Sequence, residues 1–286
     1  MSFMVYKTCL DDPDLWTIPM KRSSDDFEQY EYVLIYVDGV FAIGDNLTEV
    51  LQNIDKYFGL KLGSLYDPNI NLGANLKPMR MDNGVVAWSL SLPQYIQEAV
   101  KNKEQYVKEN IGYQWKIPKM AVNPFPCGYE ATIDELQEIN PVLSSYYLSH
   151  IGILCWMVEL GSIDINIEVS MMASQSALTR EEHLEEALKI VSYLRGKRNY
   201  RLYLDPTYLE IDHVSFKKHK WVDLYGNVKE AIPLNMPEPR GKDIDLRTYV
   251  DRNNAGDKST IRSRTGFLIY TDVILIQWIY KKQLII

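Results

Sequence analysis

Asp38 stands where two β-rich runs meet, and it is the first residue of the chain to suggest chemistry. The run YVLIYV (residues 32–37) precedes Asp38-Gly39, and VFAI (residues 40–43) follows. Two such runs joined by Asp-Gly predict a β-hairpin, because a tight turn needs positive φ and glycine adopts it at little cost. The turn then holds one carboxylate at the hairpin tip. Two interpretations stay open: a metal ligand, or a turn residue that caps its own loop.

Basic side chains surround the end of a second predicted element. The capping box TREE (residues 179–182) predicts the start of a helix, and Gly196 predicts its end. Between them, apolar residues recur at helical spacing, namely Leu184, Ala187, Leu188, Val191 and Leu194. The cations at its C-terminus are Arg195, Lys197, Arg198 and Arg201. They either complement the helix dipole or contact a phosphate backbone.

The elements around these residues alternate between hairpins and helices. A helix is predicted from Asn46 to Gly59, a second hairpin turns at residues 82–84, and another helix extends to about Asn110. Asn140-Pro141 predicts a further helix start. The last segment, residues 246–280, is rich in β-forming residues. This order predicts an α+β fold with antiparallel hairpins and not an alternating parallel α/β fold.

Composition restricts the class of protein. The 286 residues are 46% hydrophobic, with a formal net charge of −7, which argues against a protein that coats nucleic acid. The three cysteines are scattered, so no disulfide framework or zinc site is expected. No apolar run approaches the roughly 20 residues that span a bilayer. We therefore expect an intracellular protein, cytoplasmic or nuclear, with no membrane partner.

The hairpin resembles the YVDD box of reverse transcriptases from copia-type retrotransposons. Other stretches resemble that family in the same order along the chain. They are CLDDPDLW (residues 9–16), YFGLKLGSLYDPNINLGANL (residues 57–76), SHIGILCWMVELGSIDINIEVS with HLEEALKIVSYLRG (residues 149–196), and YVDRNNAGDKSTIRSRTGFLIY with IQWIYKKQ (residues 249–283). The ordered set covers nearly the whole chain.

The resemblance implies how the chain is divided. Residues 1–118 correspond to part of a reverse transcriptase palm, and residues 119–205 to a helical thumb and connection. Residues 206–243 are then a linker, and residues 244–286 an incomplete RNase H-like β segment.

The resemblance also implies a two-magnesium chemistry. Such ions activate the primer hydroxyl and neutralise the triphosphate, and carboxylate oxygens hold them. Asp38 matches the first hairpin aspartate of the family, and Asp251 matches the first-strand metal ligand of its RNase H domain. The implied partner is an RNA or DNA template–primer, with the basic helix end touching its backbone.

The match departs from the family at the places that carry the chemistry. Gly39 stands where the second hairpin aspartate is expected. The upstream palm strand is expected before residue 1, and the remaining RNase H carboxylates after residue 286. Asp11, Asp12 and Asp14 fall in a loop region of the family and are not expected to replace the missing ligands. We therefore expect a catalytically inactive remnant in which Mg²⁺ is not bound productively, with exposed sheet edges through which it could associate.

Two other functions stay open. The chain could be a non-enzymatic module that binds nucleic acid or protein through the thumb-like helices. It could also be an unrelated globular protein with a fortuitous hairpin at Asp38. In that case Asp251 is a strand-end residue that faces solvent.

Overall fold

The computed structural model of this chain describes residues 6–10, 12–37, 39–61, 68–111, 117–126, 129, 137–210, 220, 222–227, 236–253, 255–257 and 260–283. Over these residues the fold is α+β with antiparallel sheets, as the sequence predicts. The chain divides into two compact units. The first joins Met1–Pro68 to Glu210–Asp243, and the second joins Asn69–Leu209 to Ile244–Ile286. These boundaries differ from those of the four predicted segments.

The first unit contains a four-stranded antiparallel sheet. Its strands are β1 (Lys7–Thr8), β2 (Leu15–Lys21), β3 (Glu28–Tyr36) and β4 (Gly39–Ile43), in the order β1-β2-β3-β4. Helix α1 (Leu47–Phe58) follows β4. The core of this unit joins Val33 of the sheet to Val50 and Ile54 of the helix, with Tyr6 beside them. The predicted hairpin and helix are both confirmed.

Helix α1 ends as the sequence predicts but begins differently. Gly59 has φ of +60°, and its backbone N–H donates to the Asp55 carbonyl oxygen at 2.9 Å. This left-handed cap is the reason that a glycine follows the helix. At the other end, the Asn46 side chain donates to the Glu49 carboxylate at 2.6 Å and accepts no backbone hydrogen bond.

The predicted linker is partly folded onto the first sheet. The Tyr30 hydroxyl on β3 donates to the Glu238 carbonyl oxygen at 2.8 Å, and Arg240 pairs with Glu28 at 2.8 Å. A short helix, α6 (Val222–Tyr225), lies in the same segment. Residues 236–240 are therefore part of the first unit and not a free connector.

The second unit consists of a helical core and two antiparallel sheets that pack against it. Its first sheet contains β5 (Ile70–Asn71), β6 (Ala74–Arg80), β7 (Val86–Ser91) and β8 (Arg201–Leu204), in the order β5-β6-β7-β8. Its helices are α2 (Pro93–Tyr106, continued by a π turn at Val107–Ile111), α3 (Pro141–Glu159), α4 (Asn166–Ala173, after a 3₁₀ turn at Ile163–Ile165) and α5 (Glu181–Lys197). Its second sheet contains β9 (Leu246–Arg252), β10 (Arg264–Thr271) and β11 (Ile274–Lys282), in the order β11-β10-β9.

Helix α3 lies at the centre of that core. The Asn140 side chain accepts a hydrogen bond from the Leu143 backbone N–H at 2.9 Å, which confirms the predicted start. Its buried side chains are Tyr146, Tyr147, His150, Ile151, Leu154, Met157 and Val158. The prediction that no apolar run is long enough to span a bilayer does not hold for α3, because with 19 residues and a mean hydropathy of 1.2 this helix is long and apolar enough to cross a membrane. Buried core helices of soluble proteins share this property.

Helix α5 differs from its prediction at both ends. It begins at Glu181, and the backbone N–H of Arg180 donates to Nδ1 of His183 at 3.2 Å. The predicted box led by Thr179 is wrong, because that hydroxyl donates to the Gln175 carbonyl oxygen at 3.3 Å. The helix also continues past Gly196, since one helical glycine costs only about 1 kcal/mol and the preceding turns are buried. The predicted apolar stripe is confirmed.

The three C-terminal strands are covered by helices. Indole Nε1–H of Trp278, on β11, donates to the Val158 carbonyl oxygen of α3 at 3.0 Å, and β11 also packs against α4. The sequence suggests no helix for this sheet because the covering helices precede it by about a hundred positions. The sheet is therefore an integral part of the second unit.

Candidate metal and nucleic-acid sites

The hairpin turn lies one residue earlier than predicted. Tyr36 pairs with Gly39, so Gly39 already belongs to β4 and the turn begins at Val37. The register explains the shift: Val33 pairs with Ala42, which keeps the buried valine on the core face. A slip by one residue would turn that face to solvent. Asp38 itself lies outside the described residues.

Val37 has the backbone conformation that was predicted for glycine. Its φ is +56°, and its side chain is 86% exposed. A β-branched residue is a genuine outlier there, because its Cβ crowds the following carbonyl. Its exposed side chain contributes little packing to offset this cost. The hairpin tip is therefore a strained turn, a feature that is enriched at functional sites in proteins.

Replacing Val37 by glycine is expected to raise the free energy of unfolding by about 1 kcal/mol, because relief of the left-handed strain exceeds the added chain entropy. Chemical denaturation of both proteins measures the difference. Val40→Gly, inside β4, is the matched control and is expected to destabilise the fold, because glycine weakens a strand interior. Equal destabilisation by both variants would show that the turn is not strained.

Of the aspartates considered as metal ligands near the hairpin, Asp12 and Asp14 are described, whereas Asp11 and Asp38 lie outside the described residues. Across the described part of the chain, no three His, Cys, Asp or Glu side chains gather closely enough to hold a metal ion. Asp14 lies at the hairpin end of the sheet, since its carbonyl oxygen accepts from Ile35 N–H at 2.9 Å. The Asp12 carboxylate there accepts the Asp14 backbone N–H at 3.0 Å. Gly39 has no side chain to offer.

Asp251 lies on β9, the first strand of the C-terminal sheet in chain order. It pairs with Gly266 on β10 and is exposed. The structure places Asp251 on a strand, and its role as a metal ligand stays a prediction. Its location on an exposed strand leaves the carboxylate open to solvent.

The four basic residues around the end of α5 do not converge on one point. Arg195 pairs with Glu104 and donates to the Lys119 carbonyl oxygen at 3.1 Å. The Lys197 amine lies 5.0 Å from the centre of the Tyr200 ring. Arg201 contacts the Met79 sulfur, and Arg198 lines a groove beside α2. Arg195 therefore holds segments of the second unit together through Glu104 and Lys119. The other three basic side chains remain at the surface of that unit.

A buried ion cluster joins the loop after β9 to the other two strands of the sheet. The Asp257 carboxylate, fully buried, lies 3.1 Å from Arg264 Nη2 and 3.2 Å from Lys282 Nζ. Arg264 Nη2 also donates to the Ser174 hydroxyl at 2.7 Å. The sequence analysis missed this cluster, because the spacing of these residues contains no signal that they meet.

A second buried polar cluster lies between α2 and α3. The Lys103 amine is 4.5 Å from the centre of the Tyr146 ring, which stacks on Tyr106 at 4.2 Å. Burial lowers the pKa of Lys103 to about 8. His150 Nε2 lies 3.0 Å from the Ala187 carbonyl oxygen, and burial lowers the pKa of its imidazole to about 4. Both side chains are therefore held in surroundings that favour their neutral forms.

Comparison with known proteins gives one distant similarity. No family model matches the chain, and no solved structure matches it. The chain is 22% identical over 255 residues to the retrovirus-related Pol polyprotein from transposon RE1 of Arabidopsis thaliana. The similarity covers 88% of this chain and 14% of that protein. It supports an origin of this chain in a retrotransposon Pol polyprotein.

Proposed function

We propose that this chain is a remnant of a copia-type reverse transcriptase with RNase H, and that it does not polymerise DNA. In this proposal the first sheet and α1 derive from the palm. Helices α3 to α5 derive from the thumb and connection, and β9 to β11 from the start of an RNase H-like sheet. The observation that carries the proposal is the β3–β4 hairpin, whose Tyr36–Gly39 pairing brings the YVDG sequence to a tight strained turn.

The inactivity follows from the chemistry of that turn. Two magnesium ions would supply nucleophile activation and charge neutralisation, and they require several carboxylate oxygens to offset their mutual repulsion. Gly39 removes one of these carboxylates, leaving Asp38 as the hairpin's remaining one. Asp251 is, in the same proposal, a vestigial nuclease ligand.

Primer extension on an RNA template, with Mg²⁺ or Mn²⁺, tests the proposal. Incorporation is expected to be no higher for this protein than for its Asp38→Ala variant. Nucleotide incorporation by this protein that disappears in the Asp38→Ala variant would show an active polymerase, and it would overturn the proposed lack of polymerase activity.

A metal titration tests the reason for inactivity independently of catalysis. The Gly39→Asp variant has room for its side chain, because a Cβ there meets only the Tyr36 carbonyl oxygen at 3.4 Å. Mn²⁺ is expected to bind Gly39→Asp more tightly than the unchanged protein, because a second carboxylate joins the hairpin. Equal Mn²⁺ affinities of the two proteins would show that Gly39 is not the reason for the proposed loss of metal binding at the hairpin.

A second candidate function is a non-enzymatic module that binds nucleic acid through the helical core unit. The observation that favours it is the exposed set of basic and aromatic residues Arg198, Tyr200, Arg201 and Tyr203. Binding of this kind requires no metal site, so it is compatible with a glycine at position 39.

A further inference from the structure

The buried ion cluster around Arg264 contains more positive than negative charge. Arg264 Nη2 lies 3.1 Å and Lys282 Nζ lies 3.2 Å from the same atom, Oδ2 of Asp257. Arg264 and Asp257 are buried, and Lys282 is partly exposed. Two cations therefore share one oxygen of one carboxylate. We call Asp257, Arg264, Lys282 and Ser174 the Arg264 cluster.

The Asp257 carboxylate is fully used by the groups around it. Its second oxygen, Oδ1, accepts hydrogen bonds from the Thr260 backbone N–H at 3.1 Å and from the Thr260 hydroxyl at 3.0 Å. An ionised carboxylate offers about four acceptor positions. Arg264, Lys282 and Thr260 together occupy these positions. The remaining N–H groups of Arg264 therefore need another acceptor.

Arg264 has buried donors that its neighbours leave unsatisfied. Its Nη2 donates to Asp257 and, at 2.7 Å, to the Ser174 hydroxyl. Within the described part of the chain, Nε and Nη1 of Arg264 are buried and have no hydrogen-bond partner. The Tyr280 ring centre lies 5.9 Å from the guanidinium carbon, a cation–π contact that does not replace a hydrogen bond. Burying a charged donor without an acceptor is costly, so a further acceptor is expected at this guanidinium.

The other carboxylates on this side of the sheet do not neutralise the cluster. Glu168 on α4 and Asp251 on β9 both interact electrostatically with Tyr280. Burial raises the pKa of the Glu168 carboxyl, which favours its neutral form, and Asp251 is exposed to solvent. Among the described residues, neither carboxylate forms an ion pair with Arg264. The surplus of positive charge therefore remains.

A small anion fits these requirements better than a water molecule. Water would accept from the N–H groups but would leave the surplus charge buried, whereas an anion would satisfy both needs. Because the Arg264 side chain is only 2% exposed, a large phosphorylated ligand would not reach it. A halide-sized anion requires no planar partner and accepts from N–H groups in any direction.

We propose that the Arg264 cluster binds a small monovalent anion of the size of chloride, held by unpartnered N–H groups of Arg264 and by the charge of Lys282. The cluster joins β10 and β11 to Ser174, the residue that follows α4. Bound anion therefore stabilises the contact between the C-terminal sheet and the helical core. This site is independent of the proposed function, since it involves neither magnesium nor nucleic acid.

Urea denaturation of the full chain in sodium chloride or in sodium gluconate, at equal ionic strength, tests the proposal. At a chloride concentration about ten times its Kd, the ratio of folded to unfolded protein is expected to be about tenfold higher than in gluconate. Arg264→Met is expected to remove this difference, because Asp257 and Lys282 then form a balanced pair. Arg252→Met, which changes an exposed arginine of β9, is the matched control and is expected to retain it.

Chloride-35 NMR line widths measure binding to the folded protein directly. The unchanged protein and Arg252→Met are expected to broaden the chloride line, and Arg264→Met is not. Lys282→Met removes the surplus charge at a partly exposed position and is expected to weaken binding, so it tests the site even if Arg264→Met does not fold. Circular dichroism verifies the fold of each variant.

Three results would overturn the proposal. They are equal stability of the unchanged protein in the two salts, no broadening of the chloride line by the unchanged protein, and Lys282→Met binding chloride as tightly as the unchanged protein. Each would show that water, and not an anion, satisfies the Arg264 donors. Primer extension would still test the proposed function separately.

Discussion

The Asp257→Asn variant is expected to lose about 3 kcal/mol of unfolding free energy, because it leaves the buried Arg264 and the half-buried Lys282 without their counter-ion. Arg264 is 2% exposed at its side chain, and Lys282 is 20% exposed. The asparagine has nearly the same shape, so packing is preserved and the change isolates the charge. Lys282 can extend toward solvent, but Arg264 cannot. Equilibrium urea denaturation, with a common m-value, measures the loss.

Asp251→Asn is the matched control on the same sheet. Asp251 is exposed, so this variant is expected to change stability by less than about 0.5 kcal/mol. The double variant Asp257→Asn/Arg264→Met is expected to recover part of the loss, because it removes the buried charge that the first change leaves unpaired. A loss for Asp257→Asn no greater than for Asp251→Asn would show that the ion cluster is not stabilising.

Raising the pH from about 4 to about 6.5 is expected to raise the stability of the protein through His150. Burial, with a smaller contribution from the neighbouring Lys103 charge, lowers the pKa of its imidazole to about 4. In the unfolded chain the same imidazole titrates near pH 6.5. Between these values the unfolded state binds the additional proton, so protonation favours unfolding. The full difference is about 3 kcal/mol, at about 1.4 kcal/mol for each unit of pKa.

The measurement compares the unchanged protein with His150→Gln by urea denaturation at a series of pH values. Glutamine keeps a donor for the Ala187 carbonyl oxygen but does not titrate, so its stability is expected to vary less across this window. Carboxylates titrate in both proteins and cancel in the difference. Lys103, whose amine faces the same cluster, adds a separate rise in stability with pH. This rise lies between its lowered pKa of about 8 and the ordinary value near 10.4. Parallel curves for the two proteins between pH 4 and 6.5 would exclude His150 as the cause.

Short-range features of the sequence predicted several elements correctly. The Asn140 cap, the Gly59 cap and the turn at Gly84, with φ of +83°, all depend on neighbours within a few residues. The apolar stripe of α5 is likewise a local property, since every position in it follows from helical spacing.

Predictions that depended on distant contacts were less accurate. The turn at Asp38-Gly39 was shifted by one residue, because pairing across β3 and β4 placed Val33 in the core and moved the strain to Val37. The C-terminal strands were expected to lack a covering helix, yet Trp278 packs against the core helices. Residues 236–240 were assigned to a linker, but Tyr30 and Glu28 hold them on β3.

The candidate sites divide in the same way. Asp38, Asp251 and the basic residues from Arg195 to Arg201 could be selected from the sequence, because motif and charge are local. Their surroundings could not be predicted, because Glu104 engages Arg195 from a distant helix, and Tyr200 and Tyr203 line one groove with Arg201 only after β8 pairs with β7.

By itself, the sequence determined the antiparallel hairpins, the helix caps at Asn140 and Gly59, and the presence of a glycine at position 39. It did so because turns, caps and periodicity involve residues that are neighbours in the chain. Only the tertiary structure decided that Val37 bears the strained turn conformation, that Asp257 meets Arg264 and Lys282, and that Lys103 and His150 are buried together. These features depend on the energy of packing segments that are far apart in sequence, and no local pattern specifies which segments will meet.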